Sequence, residues 1–281
     1  MQLGVVFPQT ELGGDVGAVR QYGQPVEQQG YRHLLAYDHV VGADPEVHAP
    51  WDGPYDVDTT FHEPFVLFGF LAGITSLELV SGVIILPQRQ TALVAKQAAE
   101  VDLLTGGRFR LGVGVGWNRV EFDALDQDFT TRGAGRTHAG VVDTAHGRRD
   151  RRRRAGRRRR PRSPAGAAAD PGVVRLLVPT GASPRGTPRR RLVPAGPTRR
   201  RPGRGAREIV ETAARDAGRD PSALGMEGRV SHRGDVDETV AAIGRWHAAG
   251  ATHLSINTMG AGLTSVDEHI AALDAIATAP R

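Results

Sequence analysis

A glycine-alternating segment at residues 108–118, RFRLGVGVGWN, constrains the fold most. Branched apolar residues alternate there with glycine, and alternation with a period of two is typical of a β-strand. Glycine at alternate positions, including Gly114 and Gly116, leaves one face of such a strand without side chains. The pattern therefore predicts a strand whose bare face lets a flat ligand approach the backbone. Trp117 and Asn118, just past its end, would then be able to touch that ligand.

The first part of the chain, residues 1–131, consists of repeated strand–helix units. The pattern predicts strands at 3–7, 31–36, 77–86 and 108–116, and helices at 16–29, 64–74 and 93–104. Strands that alternate with helices predict a parallel sheet covered by helices. Four such units suit half of a (β/α)₈ barrel, in which active sites lie at the carboxyl ends of the strands.

The last part of the chain, residues 208–281, resumes this pattern. It predicts strands at 224–230 and 252–257 and helices at 208–217, 235–249 and 266–277. Asp235 is a suitable N-cap for the middle helix, and Gly250 is a suitable stop. We interpret these residues as the C-terminal units of the same barrel.

The segment between these parts, residues 132–207, has a different composition. It holds 23 Arg and 3 Asp, whereas the whole chain carries 36 basic and 31 acidic residues. The rest of the chain therefore holds 13 basic and 28 acidic residues, so an acidic protein surrounds a strongly basic middle. The segment lacks aromatic residues and any sustained hydrophobic period, and such a composition predicts disorder.

Two interpretations of this segment remain open. A basic arm would bind nucleic acid or another anionic surface, since arginine runs bind phosphates. Alternatively, two compensating indels, near 133–136 and 201–207, place the segment in a wrong reading frame of GC-rich DNA and yield an inactive product. The barrel is interrupted in mid-repeat and the segment has no interleaved aromatics, so we favour the frameshift and disfavour a nucleic-acid partner.

Composition excludes several other classes of protein. The chain contains no cysteine, which rules out disulfides and thiolate metal sites. No apolar run reaches membrane-spanning length, and residues 1–8 resemble a first strand rather than a signal peptide. We therefore expect a cytoplasmic protein without a membrane partner.

Three sequence blocks together resemble the luciferase-like monooxygenase superfamily. They are GVIILP at 82–87, AKQAAEVDLLTGGRF at 95–109 and LGVGVGWN at 111–118. Tyr37-Asp38-His39 after the second strand agrees with this resemblance. Within the superfamily, the chain is most similar to the branch of oxidoreductases that depend on coenzyme F420.

The resemblance implies a (β/α)₈ TIM barrel of the luciferase-like type, here disrupted in its middle. It implies an oxidoreductase that transfers a hydride between the deazaflavin F420 and a small organic substrate. The alternative is a monooxygenase that depends on reduced FMN. A homodimer is common in similar proteins. The loop that holds the cofactor phosphate in the family would fall within 132–207, where no residue can be assigned to it.

The resemblance and the barrel position together indicate the site residues. His39 follows the second strand, where an imidazole can bond the ring or substrate and transfer a proton. Asp38 is assigned to the cofactor side of the site, although it suits orienting His39 or the loop as well. Gly82 and Val83 match the place where the family carries a non-prolyl cis peptide against the ring.

The remaining predicted cofactor contacts come from the glycine strand and its end. They are Gly114, Gly116, Trp117 and Asn118, of which Asn118 offers both a donor and an acceptor to the ring edge. The long loop over 41–62 exceeds a dozen residues, as functional lids do, and is a candidate substrate lid. Its acidic residues and His62 lack metal-ligand spacing, so we expect no metal site.

Overall fold

The computed structural model describes residues 1–133, 211–212, 215 and 220–280. The basic segment predicted at 132–207 lies outside the described residues, apart from Arg132 and Gly133. Most of the helix predicted over 208–217 lies outside them as well. None of the described helices is long and apolar enough to cross a membrane.

The described strands form two parallel sheets, one of six strands and one of two. The strands are β1 (Gln2–Val6), β2 (His33–Ala36), β3 (Glu78–Ser81), β4 (Ile84–Ile85), β5 (Phe109–Arg110), β6 (Val113–Gly114), β7 (Glu227–Ser231) and β8 (His253–Asn257). Six of them pair in the order β5-β3-β2-β1-β8-β7, and β4 pairs with β6. Every pairing is parallel, and β1 joins the start of the chain to its end through β8.

Two predicted strands are each split into a pair of short strands. The strand expected over 77–86 becomes β3 and β4, and the glycine strand becomes β5 and β6. At the break, the Ser81 hydroxyl donates to the Gly112 carbonyl at 3.0 Å and accepts from the Gly112 N–H at 2.9 Å. This side chain therefore takes the place of a backbone ladder bond between the two strands.

The helices lie between and after the strands, as the sequence predicts. They are α1 (Gln9–Leu12), α2 (Val16–Gln28), α3 (Pro64–Ala72), α4 (Thr91–Leu104), α5 (Arg119–Ala124), α6 (Val236–Ala248) and α7 (Val266–Thr278). Asp235 caps α6 by accepting from the Glu238 N–H, and Gly250 follows with φ of 86°. Both roles confirm the prediction. The short helices α1 and α5 were not predicted.

The main core fills the space between the helices and the outer face of the sheet. Phe7, Tyr22 and Phe68 are fully buried there, beside Leu254 and Ile256 of β8. A second, smaller apolar cluster, made of Val6, Leu35, Val80 and Met259, lies on the other face of the sheet. Both faces of the sheet are therefore covered, as in a barrel whose interior is filled by side chains.

An ion pair joins the two outermost strands of the six-stranded sheet. Arg110 of β5 donates to Glu227 of β7 and, at 2.8 Å, to Glu78 of β3. In a flat sheet of six strands, β5 and β7 would lie about 24 Å apart, since neighbouring strands are spaced at about 4.8 Å. Two side chains do not span that distance. The sheet therefore curls into a barrel, with this ion pair in its interior.

Candidate active site

A pocket opens at the carboxyl ends of β2 and β6, where a barrel places its chemistry. It has about 310 Å³ of empty space, part of it open to solvent. Nine residues line it: His39, Val40, Val41, Gly42, Tyr55, Asp56, Thr59, Phe61 and Asn118. The predicted site residues His39 and Asn118 therefore meet in one pocket, although they lie far apart in the sequence.

The imidazole of His39 is enclosed by aromatic rings. The ring centroids of Tyr55, Phe61 and Trp117 lie 4.9, 4.8 and 5.9 Å from that of His39. Its side chain is 13% exposed, and Nε2 makes no hydrogen bond to any described residue. The Nδ1 atom lies 3.7 Å from Oε1 of Glu121. The imidazole thus has a carboxylate on one nitrogen and leaves the other available in the pocket.

Glu121 is a buried carboxylate with three neighbours that favour its charge. Its Oε1 accepts from the Val40 N–H at 2.5 Å, and its Oε2 accepts from Nε2 of Gln88 at 3.1 Å. Burial raises the pKa of Glu121, but His39, the Val40 N–H and Gln88 outweigh burial and lower that pKa from its usual value. Glu121 is therefore ionised at neutral pH despite being only 1% exposed.

Asn118 forms the N-cap of α5. Its Oδ1 accepts from the backbone N–H groups of Val120 and Glu121, at 3.1 and 3.4 Å. This fixes the carboxamide at the pocket wall, since an N-cap side chain satisfies otherwise unpaired helix donors. Its Nδ2 donates to no described residue. The acceptor half of the amide is occupied and the donor half remains for a ligand.

Trp117 lies beside the pocket and is 46% exposed. Its indole stacks on that of Trp51, with ring centroids 6.1 Å apart, and makes a T-shaped contact with His39. Trp51 belongs to the loop predicted as a lid, which folds back on itself through a bridge between Ala43 and Asp56. The loop thus supplies pocket walls, and its movement as a lid stays a prediction.

Asp38 points away from this pocket and into an ion pair. Its Oδ1 accepts from Arg89 at 2.6 Å, its Oδ2 accepts from the Ile85 N–H at 3.2 Å, and Arg89 also binds Glu63 at 2.9 Å. Burial raises the pKa of Asp38, and Arg89 offsets part of that rise. The carboxylate joins the end of β2 to β4. Its predicted contact with a cofactor stays a prediction.

The face left bare by the glycines is occupied by Val83. A Cβ at Gly114 would lie 2.5 Å from Cγ2 of Val83, and one at Gly116 would lie 2.8 Å from atoms of Ile85 and Phe122. The peptide bond between Gly82 and Val83 is cis, as the resemblance implied. The glycines therefore make room for the neighbouring strand rather than for a ligand directly. Their predicted cofactor contacts, like those of Gly82 and Val83, stay predictions.

Glu121 and Gln88 also belong to this site, and neither was predicted from the sequence. Asn118 followed three residues later by Glu121 is the pattern of a capping box, in which the glutamate bonds back to the N-cap N–H. Here Glu121 bonds to Val40 and Gln88 instead. The only sign of Glu121 in the sequence is that it is an acidic residue just after the glycine strand. That position does not indicate that its carboxylate lies beside His39.

The described residues offer acid–base chemistry at one imidazole within an aromatic pocket. Among residues 1–133 and 220–280, no group of three or more His, Asp or Glu side chains is placed to hold a metal ion. The available groups are Nε2 of His39 as a proton acceptor or donor and Nδ2 of Asn118 as a hydrogen-bond donor.

Comparison with solved structures identifies the fold. The monooxygenase RslO1 from Streptomyces bottropensis matches with a TM-score of 0.67 at 14% identity, covering 99% of this chain and 98% of that one. An F420-dependent secondary alcohol dehydrogenase, in complex with an F420–acetone adduct, matches with a TM-score of 0.61 at 13% identity, covering 98% of both chains. The predicted luciferase-like (β/α)₈ fold is thereby confirmed.

A third solved structure also shares this fold. The coenzyme F420-dependent tetrahydromethanopterin reductase from Methanopyrus kandleri matches with a TM-score of 0.58 at 11% identity. It covers 99% of this chain and 97% of that one.

Sequence comparison matches the first part of the chain to a family model. No curated protein sequence matches the chain. The family model described as luciferase-like monooxygenase matches residues 1–138, which include the pocket residues and the glycine strand. The predicted recognition and the predicted class of enzyme are confirmed at this level. The match to the luciferase-like monooxygenase family is thus carried by residues 1–138.

Proposed function

We propose that this chain is an oxidoreductase that uses coenzyme F420 to move a hydride to or from a carbon atom of a small organic substrate. One observation carries the proposal. His39, at the carboxyl end of β2, presents an unbonded Nε2 to an aromatic pocket while the Glu121 carboxylate lies at its other nitrogen. Such an imidazole is equipped to exchange a proton with a substrate oxygen.

The described residues fit the ring end of a deazaflavin. The pocket has aromatic walls from Tyr55 and Phe61, which suit a flat heterocycle. Two polar atoms at its surface, Nε2 of His39 and Nδ2 of Asn118, make no hydrogen bond within the described chain, so a ligand can satisfy them. When bound, the deazaflavin supplies the hydride chemistry, and the protein supplies position and electrostatics.

His39 is the residue that moves a proton in this proposal. Its Nε2 takes the proton of a substrate hydroxyl during oxidation, or returns one to a carbonyl oxygen during reduction. The imidazolium so formed is stabilised by the Glu121 carboxylate at Nδ1. The aromatic rings also limit access of water, which strengthens the electrostatic contact.

A monooxygenase that uses reduced FMN is the second candidate. RslO1, which has the highest of the TM-scores quoted above, is a monooxygenase. A type II Baeyer–Villiger monooxygenase from Pseudomonas putida, in complex with FMN, also shares the fold with a TM-score of 0.57 at 11% identity. The same pocket would then hold an isoalloxazine ring. His39 would then exchange a proton with the oxygenated substrate instead of with the hydroxyl of an alcohol.

A paired titration tests the choice of cofactor. The purified full chain is titrated separately with F420 and with FMN, and binding is followed by the fluorescence of each ligand. Saturable binding of F420 at least about tenfold tighter than FMN, or about 1.4 kcal/mol, supports the proposal. The reverse order supports the monooxygenase, and binding of neither contradicts both. A His39→Asn variant should bind the same cofactor but lose turnover, because the side chain acts on the proton.

A further inference from the structure

The carboxylate behind His39 has contacts that suggest more than a structural role. Glu121 occupies the third position of α5, whose first turn is fixed by the Asn118 cap. A carboxylate at this position would normally serve the helix end. Instead, its two oxygens are directed to the Val40 N–H and to Gln88, which places Oε1 beside Nδ1 of His39. These contacts hold the carboxylate in one position relative to the imidazole.

The position of this carboxylate bears on which nitrogen of His39 carries the proton. A neutral imidazole holds its proton on either Nδ1 or Nε2, and a carboxylate beside one nitrogen favours the proton there. The separation of 3.7 Å is an ion-pair distance rather than a hydrogen bond, and its effect is strengthened by burial of both groups. An Nδ1–H tautomer leaves a lone pair on Nε2, the atom in the pocket.

We propose that Glu121 is a positioning residue that holds His39 as the Nδ1–H tautomer, so that Nε2 faces the substrate as a proton acceptor. The expected effect on turnover rests on the proposed function. The tautomer of His39 does not, because it can be measured without a cofactor. A carboxylate that only tied the 40–42 segment to α5 would have no effect on the imidazole proton. The two roles therefore differ in a measurable property of His39.

The test measures the tautomer directly in the protein without cofactor. The chain contains ten histidines, so the ¹⁵N resonances of His39 are assigned by their absence from a His39→Asn variant. Spectra are recorded for the full chain with ¹⁵N-labelled histidine, at a pH where His39 is neutral. We expect the pattern of an Nδ1–H tautomer in the wild type. An Nε2–H pattern there would overturn the proposal without any variant.

Two substitutions of Glu121 separate position from charge. Glu121→Leu removes the acceptor and should shift His39 toward Nε2–H, whereas Glu121→Gln keeps an oxygen beside Nδ1 and should keep the Nδ1–H tautomer. Gln88 has an Oε1 atom without a partner, so its amide can turn to accept from the new glutamine. If Glu121→Leu leaves the His39 pattern unchanged, the positioning role is wrong.

The matched control is Glu268→Gln. Glu268 is also the third residue of a helix, α7, but it forms a true capping box with Ser265. Its substitution should leave the tautomer of His39 unchanged.

In turnover, Glu121→Leu should lower kcat at least about tenfold with little change in KM, since only proton transfer is impaired. If His39 is the Nδ1–H tautomer but the protein binds no F420, only the proposed function is refuted. If the protein binds F420 and turns over while His39 shows the Nε2–H pattern, only the positioning role of Glu121 is refuted.

Discussion

The ion pair between Arg110 and Glu227 offers the sharpest test of the barrel. Arg110 is 3% exposed and the Glu227 side chain is 5% exposed, so an Arg110→Met substitution leaves a buried carboxylate without its cation. Breaking such a pair by removing one partner costs about 3–5 kcal/mol. Each kcal/mol lowers the melting temperature of a large domain by about 2–4 °C, so we expect a drop of roughly 10 °C.

The same contact predicts how that loss depends on pH. Burial raises the pKa of Glu227, and Arg110 offsets part of the rise. Without Arg110 the folded-state pKa rises further, so the carboxyl takes up a proton more readily in the folded state than in the unfolded one. The stability of Arg110→Met should therefore fall further as the pH rises through the carboxyl range.

Thermal denaturation measures the effect, with Arg119→Met as the matched control. Arg119 pairs with Asp123 at 3.6 Å on the surface, where the side chains are 73% and 64% exposed. Exposed pairs contribute about 0–1 kcal/mol, so this control should scarcely move the melting temperature. The double variant Arg110→Met with Glu227→Gln should regain part of the loss, because the uncompensated charge is gone. If Arg110→Met is as mild as the control, the two outer strands do not meet in a desolvated interior.

Three further predictions concern the glycine strand, the buried carboxylate and the basic segment. Gly114→Ala places a methyl group 2.5 Å from Val83 and should weaken cofactor binding at least about tenfold in a fluorescence titration. The control, Gly244→Ala in α6, meets nothing within 4 Å and should stabilise by about 0.5–1 kcal/mol without altering binding. Because the pKa of Glu121 is lowered on folding, its charge stabilises the protein above the usual carboxyl pKa. That contribution is lost as the pH falls through the folded-state pKa of Glu121. The melting temperatures of the wild type and Glu121→Gln should therefore converge as the pH is lowered from about 7 to about 3. A difference in melting temperature that does not change over this range would contradict the prediction. Finally, sequencing the gene across codons 130–210 should reveal compensating indels, and an uninterrupted frame would refute the frameshift.

Local patterns in the sequence predict most of the described fold. Strands β1 and β8 and helices α2, α6 and α7 agree with their predicted ranges to within two residues, because periodicity and caps are encoded locally. Asp235 and Gly250 illustrate this, since their chemistry defines the ends of α6. The helix α1 was missed because its four residues are too short to show a helical period.

Contacts between distant residues could not be read from the sequence. Arg110 and Glu227 are 117 positions apart, and no local feature of either indicates the other. His39 and Asn118 were predicted as site residues, since each follows a strand. Glu121 is a buried neighbour of both residues. Its spacing from Asn118 fits a helix cap, and only the fold shows that its carboxylate lies beside the imidazole of His39. The glycine face was predicted to be bare, whereas Val83 fills it through packing that the sequence does not encode locally.

If the pocket beside His39 binds the deazaflavin ring, a large side chain that fills the pocket should block binding of F420. Val41 lines the pocket and is 39% exposed, so Val41→Trp fills it without altering a group that moves a proton. Val47 belongs to the same loop, is 73% exposed and does not line the pocket, which makes Val47→Trp the matched control. In a fluorescence titration with F420, we predict that Val41→Trp loses at least about tenfold in affinity while Val47→Trp binds like the wild type. Equal binding of F420 by both variants and the wild type would contradict the assignment of this pocket.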